Sequence, residues 1–136
     1  MQRQAKTLSF LLKLCASCLL VAFSTSSFAQ IETISGEWRG TYNINIGGDR
    51  DIVFTIEVTD GVATGTFDDE AGGAIGLTIE SISIEGREVE FTIPRINGAY
   101  FGTIHADLGT DGKPVRIDGD WTQAGEFIPV TIYRTQ

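Results

Sequence analysis

From Gly36 to the end of the chain, apolar and polar residues alternate almost continuously with a period of two, and the breaks fall mostly at glycines and at Asp-Gly or Asn-Gly pairs. Successive side chains of a strand point to opposite faces, so this pattern specifies half-buried strands and leaves no room for an amphipathic helix. The breaks recur every 8 to 12 residues or so, the spacing of an all-β sandwich or barrel. Eight strands follow: 36–46, 51–59, 62–67, 74–84, 87–94, 99–107, 114–122 and 126–134. Most of their connections are tight turns that join antiparallel neighbours, which makes the chain an up-and-down meander.

Register tests this reading, because residues paired across a hairpin share a face. Folding the last two strands about Ala124-Gly125 pairs Trp121 with Ile128, Gly119 with Val130, Ile117 with Ile132 and Val115 with Arg134. Folding 99–107 onto 114–122 about Asp111-Gly112 puts Gly102, Ile104, Ala106 and Leu108 on the same apolar face. Trp38, Tyr42, Phe54, Phe67, Phe91 and Tyr100 share it. In 74–84 the apolar parity switches from Ile75, Leu77 and Ile79 to Ile82 and Ile84, which requires a bulge or corner near Glu80-Ser81. Pro94 makes the loop at Asn97-Gly98 longer than two residues. Strands with one apolar face hide it best by closing on themselves, which predicts a small eight-stranded antiparallel barrel. Pro129, whose missing N–H faces the first strand, favours a flattened barrel or β-sandwich as the alternative.

Ahead of this domain (36–136) lie a short lead-in, 30–35, and the segment 1–29. The latter carries Arg3, Lys6 and Lys13, an apolar run from Leu14 to Phe23 and the small-residue boundary Ser27-Phe28-Ala29. These are the parts of a secretory signal peptide cut after Ala29, so the protein is expected to be exported to the periplasm or outside the cell. The run is too short for a membrane-spanning helix. Cleavage removes both cysteines, Cys15 and Cys18, and three basic residues, while all 18 acidic residues stay, pushing the net charge below the −8 of the whole chain. Such a surface repels phosphate backbones and anionic lipid, which excludes nucleic acid as a partner and argues against membrane insertion. A small outer-membrane barrel, with the apolar face turned to lipid, is the third reading of the same alternation.

Gly36-Glu37-Trp38 opening the first strand, with Arg134 near the end of the last, resembles the calycins (lipocalins, avidins and fatty-acid-binding proteins). That resemblance implies a barrel closed at one end by Arg134 packed on Trp38. GVATGTFDD looks like the second hairpin of avidins. A fuller likeness runs through GEWRGTY, IVFTIEV, GVATGTFD, Pro94, Tyr100-Phe101-Gly102-Thr103, GDWTQ and IPVTIYR. It resembles the small β domain found ahead of the catalytic domain in some secreted bacterial α/β hydrolases. No Gly-x-Ser-x-Gly elbow accompanies it here, so the resemblance implies an accessory module and transfers no catalytic residue.

The residues themselves supply little catalysis. Downstream of Ala29 there is no Cys, and the only His is His105, read as one member of a solvated outer row with Glu88, Glu90 and Asp118. The acidic groups Asp49-Arg50-Asp51 and Asp68-Asp69-Glu70 fall in turns, where Asp caps backbone, and neither has calcium-loop order. The chain is therefore expected to be no enzyme and to hold no metal or cofactor. The inward aromatics and glycines (Gly40, Gly65, Gly102, Gly119) leave two readings. In the first the glycines thin the interior for a small apolar ligand lined by Tyr42, Phe54, Phe91, Tyr100 and Trp121, with Arg95 at the mouth. In the second the interior is solid and the chain is an interaction module for a protein partner, with outward Phe101, Phe127 and Tyr133 as its surface.

Overall fold

The computed structural model describes residues 26–45 and 47–135. The expected signal peptide lies outside them except for its last residues, which begin a short helix, α1 (Ser26–Ile31). A 3-10 turn, Glu32–Ile34, follows. The strands are β1 (Gly36–Asn43), β2 (Asp49–Thr59), β3 (Val62–Asp69), β4 (Ala74–Thr78), β5 (Ser81–Glu85), β6 (Glu88–Ile93), β7 (Gly98–Ile104), β8 (Arg116–Gln123) and β9 (Glu126–Arg134). All pair antiparallel in one curled sheet of order β4-β3-β2-β1-β9-β8-β7-β6-β5. The sheet closes between its first and last strands, where Trp38 faces Arg134, Arg39 faces Tyr133 and Gly40 faces Ile132. That ladder ends at the Gly40–Ile132 pair, three residues short of Pro129.

The all-β meander and its apolar face are as the alternation requires. The parity switch in 74–84 is a corner that makes two strands of one. The Ile79 N–H still donates to Gly65 O on β3, and the next, Glu80 N–H, donates to Thr92 O on β6, both at 2.9 Å. The chain thus changes partner from one residue to the next, leaving β4 and β5 each paired on one side only. Ile75, expected inside, is exposed and Ala74 takes its place. Gly76, at φ 63°, is the extra residue of a bulge that turns Ile75 outward, and its N–H is held by the Asp68 carboxylate.

The β8–β9 register is the expected one: Trp121 faces Ile128, Gly119 faces Val130 and Ile117 faces Ile132. Between β7 and β8 it differs by two residues, with Tyr100 opposite Trp121, Gly102 opposite Gly119 and Ile104 opposite Ile117. The strands end earlier than expected because residues 105–115 form a separate loop. Within it Leu108 bridges Pro114, and Gly109 N–H donates to Lys113 O. Ala106 and Leu108, placed inside by a two-residue turn, are consequently exposed. A shift of two preserves parity, so every residue within the two strands keeps its face. The longer Pro94 loop is present as the 3-10 turn Pro94–Ile96, followed by Asn97 in the left-handed region.

The core lies inside the curl. Trp38, Phe54, Phe67, Phe91, Ile93, Tyr100, Ile117, Trp121 and Ile132 are all at most 1% exposed. The lead-in also contributes, since Ile34 is fully buried and its carbonyl accepts Trp38 Nε1–H at 2.8 Å. Apolar side chains therefore face inward, and the outer faces of β6 and β8 carry Glu88, Glu90, Asp118 and Asp120.

Candidate functional site

Five of the residues expected to line a ligand pocket are inside the barrel, and four of them pack on one another. Phe54 on β2 is the hub, with ring centroids 5.3 Å from Phe91, 5.5 Å from Tyr100 and 6.2 Å from Trp121. Phe67 joins it at 5.2 Å and stacks on the Trp121 indole at 4.8 Å, 9° from parallel. Since β2 and the β6–β8 group are opposite walls of the curl, these contacts cross the interior and fill it. Arg95 is exposed on the Pro94–Ile96 turn, apart from the cluster. Among the described residues, Trp121 Nε1 is the buried side-chain polar atom without a partner.

Glycine does not thin the interior at Gly102 and Gly119, because Tyr100 lies over both. A Cβ on Gly119 would stand 2.8 Å from Tyr100 Cζ and 2.7 Å from Gly102 Cα, and would also meet Phe101 O. One on Gly102 would stand 2.9 Å from Tyr100 Cε1 and 2.6 Å from Ile117 Cγ2. The pair of glycines is the bed on which the Tyr100 ring rests. Its hydroxyl donates toward Val130 O at 2.9 Å and Ile117 O at 3.1 Å, satisfying a polar group that burial would otherwise penalise. Burial pushes the phenol well above its ordinary range, with the Asp118 and Asp120 charges adding to the effect.

Tyr42, the fifth, serves a polar knot at one end of the barrel. Its hydroxyl donates to Asp69 Oδ2 at 3.3 Å, and Arg50 Nη1 reaches the same oxygen at 3.1 Å. Gly72 N–H donates to Asp69 Oδ1 at 2.8 Å. Asp69 is 4% exposed, a buried carboxylate that ties β1, β2 and the β3–β4 turn together. Tyr42 is raised above the usual phenol range, first by desolvation. Its turn position hid this role from the sequence; the available signal was Arg50, a base set between two acids on the strand facing Tyr42.

Trp38 and Arg134 do pair across the closing seam, but the guanidinium goes elsewhere. Nη1 and Nη2 form a fork on Asp111 at 2.9 and 2.8 Å, and Nε donates to Pro114 O at 2.9 Å. No cation–π contact joins Arg134 to Trp38 among the described residues. Arg134 is the staple of the 105–115 loop, and its hydrogen bonds, with one from the Lys113 N–H, hold the Asp111 carboxyl down to about 2. His105 falls beyond the end of β7. Its Nδ1 is 3.1 Å from Asp107 Oδ2, and Thr103 stands between Glu88 and Asp118 where a histidine was expected. No group of three or more His, Cys, Asp or Glu side chains among the described residues is placed to hold a metal.

The outer surface carries further candidates. Phe101, Phe127 and Tyr133 are 40%, 69% and 54% exposed on β7 and β9. A groove of about 330 Å³ runs beside Phe101 over β5–β8, edged by Ser83, Glu85, Glu88, Glu90, Thr103, Asp118 and Asp120. A second, of about 450 Å³, lies over β1, β2 and β9 between Arg39, Asp51, Val53, Thr131 and Tyr133. Both are on the outside of the curl. No family model, no curated protein and no solved structure matches the chain.

Proposed function

We propose that this chain is an exported, non-catalytic β module with a solid core, acting through its outer face on a protein partner. The Phe54 cluster carries the reading: the side chains that would have to hold an apolar ligand are in contact with each other across the barrel. Ligand sites are concave and apolar, and here the concave apolar side of the sheet is occupied by its own aromatics. Both grooves instead lie on the outer face, the first of them edged mainly by carboxylates. The likeness to β domains of secreted hydrolases supports an accessory role, and the basic-apolar segment ahead of Ala29 supports export.

Gly119→Leu tests it. In a solid core the new side chain collides with the Tyr100 ring and the Gly102 backbone, and the variant loses about 1–3 kcal/mol or more in denaturant unfolding. Neither protein then binds a fluorescent apolar probe. Saturable probe binding by the natural chain, lost in a Gly119→Leu variant of undiminished stability, would return the interior-ligand reading.

A further inference from the structure

We infer that the outer face of β5–β9 docks an extended segment of a protein partner whose sheet-facing side chains, every second residue, are apolar groups interspersed with lysines or arginines. Apolar groups would rest on Phe101 and Phe127, and cations would enter the groove beside Phe101.

The first ground is exposure. Large aromatics at 40% and 69% exposure on neighbouring parts of one sheet face are the anchors that interfaces use. Register sets their surroundings: Phe101 stands between Glu90 on one side and Asp120 on the other, and Asp120 faces Pro129, two residues from Phe127 along β9. Phe101 is thus flanked by carboxylates in its own row, with Asp120 lying between it and the Phe127–Pro129 stretch of β9.

Charge complementarity decides the occupant. Glu85 faces Glu88 directly across the β5–β6 hairpin, an arrangement of like charges that costs stability. The nearby bases do not relieve it. Arg87, in the turn between them, is turned onto Ile104 O, Arg116 pairs with Asp118, and Arg39 pairs with Glu37. Glu85, Glu88, Glu90 and Asp120 therefore have no basic partner among the described residues. An acidic or purely apolar segment would add to that repulsion or leave it in place, whereas a cationic one removes it.

The proposal rests on the interaction reading above, and the experiment separates the two. The probe is the eight-residue peptide Leu-Ser-Lys-Ser-Leu-Ser-Lys-Ser, which when extended presents Leu and Lys on one face, titrated against the protein at low and high salt. Controls are the same peptide with Glu for Lys and with Ser for Leu. The Lys–Leu peptide should bind, more weakly as salt rises, and both controls should bind at least about tenfold more weakly. Glu90→Gln with Asp120→Asn, and separately Phe101→Ser, should each weaken it by about the same factor, while Glu57→Gln, on the outer face of β2, should not. No binding, equal binding of the Glu–Leu peptide, or binding indifferent to the Glu90/Asp120 pair would overturn the docking proposal. With an interior that excludes apolar probes, those results leave the solid-core module standing; probe uptake removes the module reading itself.

Discussion

Tyr100 shows how a single side chain settles a question that alternation leaves open. Parity assigns it and the two glycines to the inward face, and that much was legible. Parity carries no volume, so the sequence alone allowed the glycines to be either empty space or a seat. The register resolves it, because Gly102 faces Gly119 directly and Tyr100 is next along β7 on that face. The hydroxyl is then the group to test. Tyr100→Phe keeps the ring on its glycine bed but leaves Ile117 O and Val130 O without their side-chain donor. Urea unfolding should show a loss of about 1–2 kcal/mol with an unchanged m-value. Asp69 was less legible: its neighbours Asp68 and Glu70 resemble any solvated turn, and only the fold reveals that the middle carboxylate is buried against Tyr42 and Arg50.

At the scale of elements, the strands were readable and their ends were not. Alternation marks where a chain is half buried, yet it continues past His105, whose N–H still donates to Arg116 O, into Ala106, beyond the β7–β8 ladder. Beyond β7, residues 105–115 form a loop of their own, which the Arg134 fork on Asp111 ties to β9. The parity switch in 74–84 did announce a corner, but not that the strand would change partners there. The loop staple has a pH signature. In the folded chain Asp111 lies at about 2, below its ordinary 3.8, so the folded state favours the carboxylate. Its stabilisation is complete above about pH 4 and fades as pH falls through 2. Asp111→Asn should lower the melting temperature at pH 5 and match the natural chain near pH 2. A difference that persists unchanged to pH 2 would place the contribution in shape and not in charge.

For the whole molecule, closure comes from two unlike joints: a three-pair ladder between β1 and β9, and the Ile79-Glu80 corner between β4 and β5. Between them the sheet curls tightly enough for Phe54 to touch the opposite wall, and this contact is what makes the interior a core. The resemblance to calycins implies Arg134 packed on Trp38; the two do face each other in the β1–β9 ladder, but the guanidinium holds Asp111 instead, and ligand capacity depends on how far the walls stand apart, which no short motif encodes. Xenon-pressurised crystals measure that distance directly, since an apolar void of sufficient size takes up the gas. The natural chain should show no xenon site within the ring of Phe54, Phe67, Phe91, Tyr100 and Trp121. Phe54→Ala, destabilised by about 3–5 kcal/mol, should show one where the hub ring was. Xenon bound inside the natural chain would contradict the solid core.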